Sequence, residues 1–339
     1  MVVLTPGSDV GRRTAVMLAL VAATVAVAAL SLAVGSRSIG IGEVLGALLG
    51  RADSDNATVI TSQRLPRTLL ALVAGAALGV AGALMQGHTR NPLAEPGLFG
   101  VNAGATFGVA VLVFALGVQS SVATVVAALI GAGAVSTIVF LLGLGSLRRG
   151  AMVMLAVLGT TMAALLSALT AALILLDRQT LDVLRFWEVG AVSNRDLELA
   201  GPLVVVVCAG FVLATANAFS LNALTLGEDV AQALGTRVRR SRVVGIVAVT
   251  LLAGAATAVC GPLAFVGLVA PHAARFLSGH DYRWLVPYAG LVGAVVLTAA
   301  DTVGRVAAPP GELQAGVVVV LVGAPLLIAI TRRRRLVAL

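Results

Sequence analysis

The sequence predicts an all-α polytopic membrane protein of about ten transmembrane helices. Composition is the first reason: 59% of the 339 residues are hydrophobic and 11% charged, with a mean hydropathy of +1.04, far outside the range of a soluble domain. The second is the kind of apolar residue. Aromatics make up 4%, so the apolar content is Ala, Val, Leu and Gly, the small-residue mixture that lets membrane helices approach closely. The third is a series of apolar runs near the ~20 residues that a bilayer demands.

In chain order the runs are Thr14–Val34, Leu65–Met85, Phe99–Val118, Val122–Leu142, Ala151–Leu176, Leu199–Phe219, Val243–Val259, Pro262–Phe276, Leu285–Ala300 and Ala315–Ile330. Pro262–Phe276 is short for a span. An even number of spans puts both termini on one side, and the basic residues decide which. All 23 are arginine. With the N-terminus cytoplasmic, the inner segments hold 15 of them: Arg12, Arg13, Arg90, Arg148, Arg149, Arg237, Arg239, Arg240, Arg242, Arg275, Arg283 and Arg332 to Arg335. The outer segments hold the other 8: Arg37, Arg51, Arg64, Arg67, Arg178, Arg185, Arg195 and Arg305. The acids show the opposite bias, so both termini are expected in the cytoplasm. The net charge of +8 is thus read through topology rather than as a nucleic-acid surface. Arg12-Arg13 before the first run resembles a signal peptide, but the run exceeds the usual ~7–15-residue signal core and is expected to stay as a helix. Cys208 and Cys260 lie in or beside apolar runs and read as buried free thiols.

The same residues exclude several functions. A Walker A loop needs its Lys to reach the β- and γ-phosphates, and this chain has no lysine. Ion-coupled carriers place Asp, Glu or His inside their spans, whereas Glu95 is expected in the cytoplasmic loop of the first repeat copy, Asp301 at the outer end of span nine and His272 at the inner end of span eight. No Ser is matched to a His–Asp pair. His272 and His280 lack partners at metal-site spacing, so no metal site is expected. His272 is expected to pack the turn after span eight. The energy source is expected to be another subunit.

Two local patterns point to working parts. P-L-A-x-x-G-L occurs at Pro92–Leu98 and again at Pro262–Leu268. With the topology above, the first copy follows span two on the cytoplasmic side and the second follows span seven on the external side. Opposite orientation predicts an inverted repeat of spans two to five and seven to ten. Asn91, Pro92, Gly97, Pro262, Gly267 and Pro271 are its candidate hinge positions, with Asn91 able to cap a helix starting at Pro92. Between spans six and seven lies Leu226-Gly227-Glu228-Asp229-Val230-Ala231-Gln232-Ala233-Leu234-Gly235. Glu228 and Asp229 suit a helix N-terminus and Gly235 its C-terminal stop, while Val230 and Leu234 share a face. A two-turn helix is unstable alone and should pack against something. The alternative is a surface helix whose basic neighbours hold phospholipid headgroups.

At these residues the chain is recognisable. R-L-P-R at Arg64–Arg67, G-A-L-M-Q at Gly82–Gln86, R-N-P-L-A-E-P-G at Arg90–Gly97 and G-V-N-A-G-A at Gly100–Ala105 resemble the permeases of iron–siderophore, haem and cobalamin ABC importers. So do F-W-E-V-G-A at Phe186–Ala191, the Leu226–Gly235 segment, F-V-G-L-V-A-P-H-A-A-R at Phe265–Arg275, A-D-T-V-G-R at Ala300–Arg305, P-G-E-L at Pro310–Leu313 and V-G-A-P at Val322–Pro325. The resemblance runs in order through nearly the whole chain and implies that residues 1–339 form a single permease domain. It is strongest toward permeases for ferric catecholate siderophores.

That resemblance implies one half of a dimer in the bacterial cytoplasmic membrane, with a second, different permease expected as its partner and a homodimer as the alternative. Two ATPase subunits below would bind ATP and Mg, with no cofactor in this chain, and a siderophore-binding protein would dock outside. Leu226, Gly227, Glu228, Asp229, Ala231, Leu234 and Gly235 match the helix that couples to the ATPase. Arg64, Arg67 and Arg305 match external arginines that receive the binding protein's glutamates, in keeping with bidentate guanidinium–carboxylate pairing. The alternatives are interfacial anchoring for Arg64 and Arg67, and an i, i+4 pair with Asp301 for Arg305. The pathway is expected along spans five and ten, with an inner gate near Gly143–Gly150. The chain departs from the family at Val153–Val157, where R-x-x-L-A-G is usual, and at Glu312–Gly316, where Gln314 replaces a Pro.

Overall fold

A computed structural model describes residues 6–35, 38–51, 55–144, 151–193, 200–308 and 311–332. Among the described residues there is helix and no strand. The helices are α1 (Pro6–Ala33), α2 (Ile41–Leu48), α3 (Asp55–Val59), α4 (Leu65–Thr89), α5 (Val101–Leu116), α6 (Ser121–Leu144) and α7 (Ala151–Leu176). There follow α8 (Arg178–Trp187), α9 (Ala200–Thr225), α10 (Glu228–Ala233), α11 (Val238–Cys260), α12 (Val266–Ser278), α13 (Tyr282–Ala307) and α14 (Ala315–Arg332). Seven helical stretches are long and apolar enough to cross a membrane, and α5 and α14 are shorter apolar helices. The protein is therefore a multi-pass, all-helical membrane protein. Of the expected inner-gate segment, residues 145–150 lie outside the described residues, as do Pro310 and Arg37, Arg148, Arg149, Arg195 and Arg333 to Arg335 of the topology count.

The apolar runs locate the helices but not all their ends. The second run begins at Leu65, yet the helix starts at Asp55 and passes through a π-helical turn at Ile60–Arg64. The irregularity falls just before Pro66, which has no backbone donor to continue the regular ladder. The eighth run begins at Pro262, but α12 starts at Val266, after Phe265 at φ +67°.

Burial sorts the helices into centre and rim. The apolar windows of Asp55–Thr89, α11 and α13 are 78%, 72% and 67% buried, against 11% for α1 and 17% for α7. Glycine makes the centre possible. Gly75, Gly79 and Gly82 lie on one face of α4, and a Cβ on them would fall 2.3, 2.1 and 1.8 Å from the carbonyl oxygens of Gly293, Ala289 and Gly267. Only the missing side chains let α4 lie this close to α12 and α13, the small-residue contact by which membrane helices associate. Gly104 and Gly108 of α5 meet Gly131 and Ala127 of α6 in the same way.

The two P-L-A-x-x-G-L copies meet in this core, which corrects their expected placement on opposite faces. A carboxylate oxygen of Glu95 accepts the backbone N–H of Phe265 at 2.8 Å, and these residues hold the same position in the two copies. A Cβ on Gly267 would come within 2.8 Å of the Pro96 ring. Segments in such contact cannot be separated by an apolar layer about 30 Å thick. Each copy instead turns back into the protein, where irregular backbone is satisfied by protein groups. Asn91 also differs from expectation. Its side chain accepts the Leu93 N–H at 2.9 Å, but the cap closes a turn, and helical structure begins only with the 3-10 turn Pro96–Phe99. Pro271 lies inside α12.

Candidate docking, coupling and pathway sites

Three helix ends assemble the first site. Arg64 and Arg67 stand at the start of α4, Arg305 at the end of α13, and the C-terminal turn of α1 lies between them. Arg64 donates to the carbonyls of Leu32 and Ala33 at 2.8 and 2.9 Å. Arg305 donates to the Ser31 carbonyl at 2.9 Å and to the Thr302 hydroxyl at 3.1 Å, and Ser31 and Thr68 share a hydroxyl bond of 2.7 Å. The last carbonyls of a helix lack intrahelical partners and attract cations, so these contacts pin the end of α1. Arg67 forks onto Asp301, with Nε 3.0 and 2.9 Å from its two oxygens and Nη2 2.9 Å from Oδ1, and reaches Glu312 through Nη1 at 2.7 Å. Arg305 Nε lies 3.4 Å from Asp301 as the i, i+4 pair.

The three arginines named from the sequence are thus brought together, but not as free external cations. Arg64 is 7% and Arg305 4% exposed. The side chains of Arg67 and Glu312, at 14% and 40%, form the open edge. Ser31, Thr68 and Thr302 complete the cluster, and a hydroxyl inside an apolar run carries no signal of its own in the sequence. A second polar knot holds the other end of α1. Asp281 accepts from Asn222 at 2.7 Å and from Arg283, and pairs with Arg13 at 3.5 Å. Burial would raise the Asp281 pKa, but hydrogen bonds from Arg283 and Asn222 outweigh it and hold the carboxyl below its usual range.

The second site is α10. Gly227 precedes it at φ +114°, a conformation open to glycine. Gly235 at φ +83° ends it. The Thr236 N–H bonds to the Ala231 carbonyl and the Gly235 N–H to that of Gln232, both at 2.9 Å, the Schellman pattern that the glycine stop anticipates. Glu228 is paired with Arg242 of α11 and Ala231 is buried. Leu226, Val230 and Leu234, four residues apart, leave one apolar stripe exposed.

The third is a cavity of about 520 Å³ between α5 and α7, lined by Asn102, Thr106, Ser167, Thr170 and Glu188 among small apolar residues. Asn102 is oriented by the Thr257 hydroxyl at 2.9 Å, and burial pushes the Glu188 carboxyl up. Ser167 and Thr170 share one face of α7, a polar stripe too weak to separate from small-residue membrane helix by sequence. His272 bonds to the Leu268 carbonyl one turn back at 3.0 Å.

Closely packed membrane helices, paired chain breaks at their centre and a polar cavity beside them define a membrane transport subunit. The chain belongs to the FecCD transport family, whose sequence profile matches residues 21–333. It is 43% identical to the ferric enterobactin transport system permease protein FepD of Escherichia coli K12, over 90% of this chain and 91% of that one. It is 35% identical to the ferric enterobactin permease FepG of the same organism, over 92% and 94%. The solved inward-facing structure of a metal-chelate type ABC transporter superposes with a TM-score of 0.84 at 29% identity, covering 94% of this chain and 99% of that one. The protein is accordingly the permease subunit of an ABC importer and not itself an enzyme; the ATPase is a separate subunit.

Proposed function

We propose that this permease carries a ferric siderophore across the bacterial cytoplasmic membrane by alternating access. The observation that carries the cargo assignment is the 43% identity to FepD over nine-tenths of both chains. Haem or cobalamin is the alternative cargo. In the proposed arrangement ten spans form an inverted repeat of spans two to five and seven to ten, with both termini cytoplasmic. Support comes from α4 packing on α13 as α11 packs on α6, and from the equivalent residues Glu95 and Phe265 meeting at the centre. Those breaks also give α5 and α12, with 16 and 13 residues, the character of part-helices reached through irregular chain.

The working unit would pair this chain with a second, different permease, as the likeness to both FepD and FepG suggests; a homodimer is the simpler alternative. Two ATPase subunits would receive the Leu226–Gly235 segment, whose exposed stripe suits a hydrophobic cleft. Motion there would pass through Glu228–Arg242 to α11. The cavity beside α7, expected to be span five, would form part of the pathway. A siderophore-binding protein would dock near Arg64, Arg67 and Arg305, entering at the Arg67–Glu312 edge, where its carboxylate would replace that of Glu312. The test is ATP-driven uptake into proteoliposomes holding the complete importer, offered ferric enterobactin, haem or cobalamin. Uptake of ferric enterobactin over the others is expected; preference for haem or cobalamin refutes the cargo assignment.

A further inference from the structure

A second cavity flanks the proposed coupling segment, sharing Leu234 and Gly235 with it, and its arginines are assigned no part in transport. It holds about 370 Å³ and lies between the C-terminal half of α9, the link from α10 and the first turn of α11. Arg237 and Arg240 stand on its wall with Thr236, Ser220, Asn217 and Ser241. Asn217 and Ser241 are buried and fixed: Ser241 donates to Asn217 at 2.7 Å, and the Asn217 amide lies 2.8 Å from His88. This makes one wall rigid. Arg242, beside the cavity, is neutralised by Glu228. Arg237 and Arg240 are not: among the described residues neither joins an ion pair, and no acidic side chain lines the cavity. α11 also opens here without a side-chain cap on its first-turn N–H groups, which adds to a positive field.

Phe219 and Leu234 on the cavity wall are exposed. Behind Phe219 the outward face of α9 continues through Ala216, Val212 and Val205, all exposed and all on one side of the helix. The cationic cavity thus opens onto an unbroken apolar track of a membrane helix. A free anion would need only the arginines, whereas a lipid would use both. We propose that this cavity binds the headgroup phosphate of an anionic phospholipid, its acyl chains lying along Phe219 and Val212. Basic pockets between membrane helices are suited to such headgroups. The site stands independently of the cargo and of the siderophore-binding protein.

The experiment uses the full-length chain in neutral detergent, with retained lipid read by native mass spectrometry after addition of phosphatidylglycerol or phosphatidylcholine. Wild type is expected to prefer phosphatidylglycerol. Each arginine near an anionic headgroup contributes roughly a factor of five, so Arg237→Gln/Arg240→Gln should lower that preference about 25-fold. Arg239→Gln, on the same turn but outside the cavity, should leave it unchanged. Phe219→Ser should weaken retention of the lipid without affecting any binding of inorganic phosphate. Unaltered preference in the double variant overturns the proposal. So does displacement of the lipid by millimolar inorganic phosphate, which would mark a site for free anions. If the double variant cannot be purified, hydrogen exchange of segment 234–244 in wild type decides: protection in phosphatidylglycerol over phosphatidylcholine nanodiscs supports the site, and equal exchange overturns it.

Discussion

Replacing Asp301 by Asn should unfasten the C-terminal end of α1. Asp301 is 1% exposed, takes three hydrogen bonds from Arg67 and faces Arg305 Nε at 3.4 Å. Removing one partner of a buried pair costs about 3–5 kcal/mol because the remaining charge stays buried. Glu312 still neutralises part of Arg67, so the low end applies: about 3 kcal/mol, roughly a 150-fold shift in the unfolding equilibrium. Reversible unfolding in mixed micelles, followed by Trp fluorescence, measures it. Arg67→Gln alone should also destabilise, but the double variant should lose less than the sum, with a coupling of about 2 kcal/mol. A loss under about 1 kcal/mol for Asp301→Asn, or additive single effects, would show that this cluster does not hold α1.

Other expectations follow from the same geometry. Gly82→Ala places a Cβ 1.8 Å from the Gly267 carbonyl where ordinary contact begins at 3.4 Å, so α4 and α12 must part and stability should fall by about 3 kcal/mol; Gly133→Ala, with nothing within 4 Å, should be neutral or stabilising by about 0.5 kcal/mol in the same unfolding assay. Val230→Asp on the exposed face of α10 should reduce co-purification of the ATPase subunit at least ~10-fold while leaving the unfolding midpoint unchanged. The carboxyl of Asp281 titrates below its unfolded value, so its contribution is complete above the unfolded pKa of about 3.9 and is lost as pH falls through the lower folded value. Stability attributable to this group should be flat from neutral pH to about 5 and decline below 4, and Asp281→Asn should remove that part of the slope.

Much of this architecture is legible in the chain. Long apolar runs of Ala, Val, Leu and Gly place the helices because backbone in lipid has no other way to satisfy its polar groups. Gly235 marks the end of α10 because few other residues adopt φ +83° without strain. The repeat copies are legible as breaks, but not their meeting point. A hydropathy pattern assigns every break to a surface, whereas Glu95 and Phe265 satisfy each other within the protein. The arginines show the same limit. Charge counting places Arg64 and Arg305 outside the apolar core, yet their partners are backbone carbonyls at the end of α1, more than 30 residues away for Arg64 and 274 for Arg305. Long-range carbonyl partners leave no trace in residue type. Asp301 and Arg305, one turn apart on α13, could be paired by spacing alone.

The central claim is that this chain supplies a route and a separate ATPase the energy. Its most direct test is uptake of labelled ferric enterobactin by proteoliposomes containing the permease pair and the siderophore-binding protein, with and without the ATPase and ATP. Uptake is expected only when both are present, and is expected to be lost with Val230→Asp. Uptake by the permease alone along a proton or sodium gradient would contradict the account.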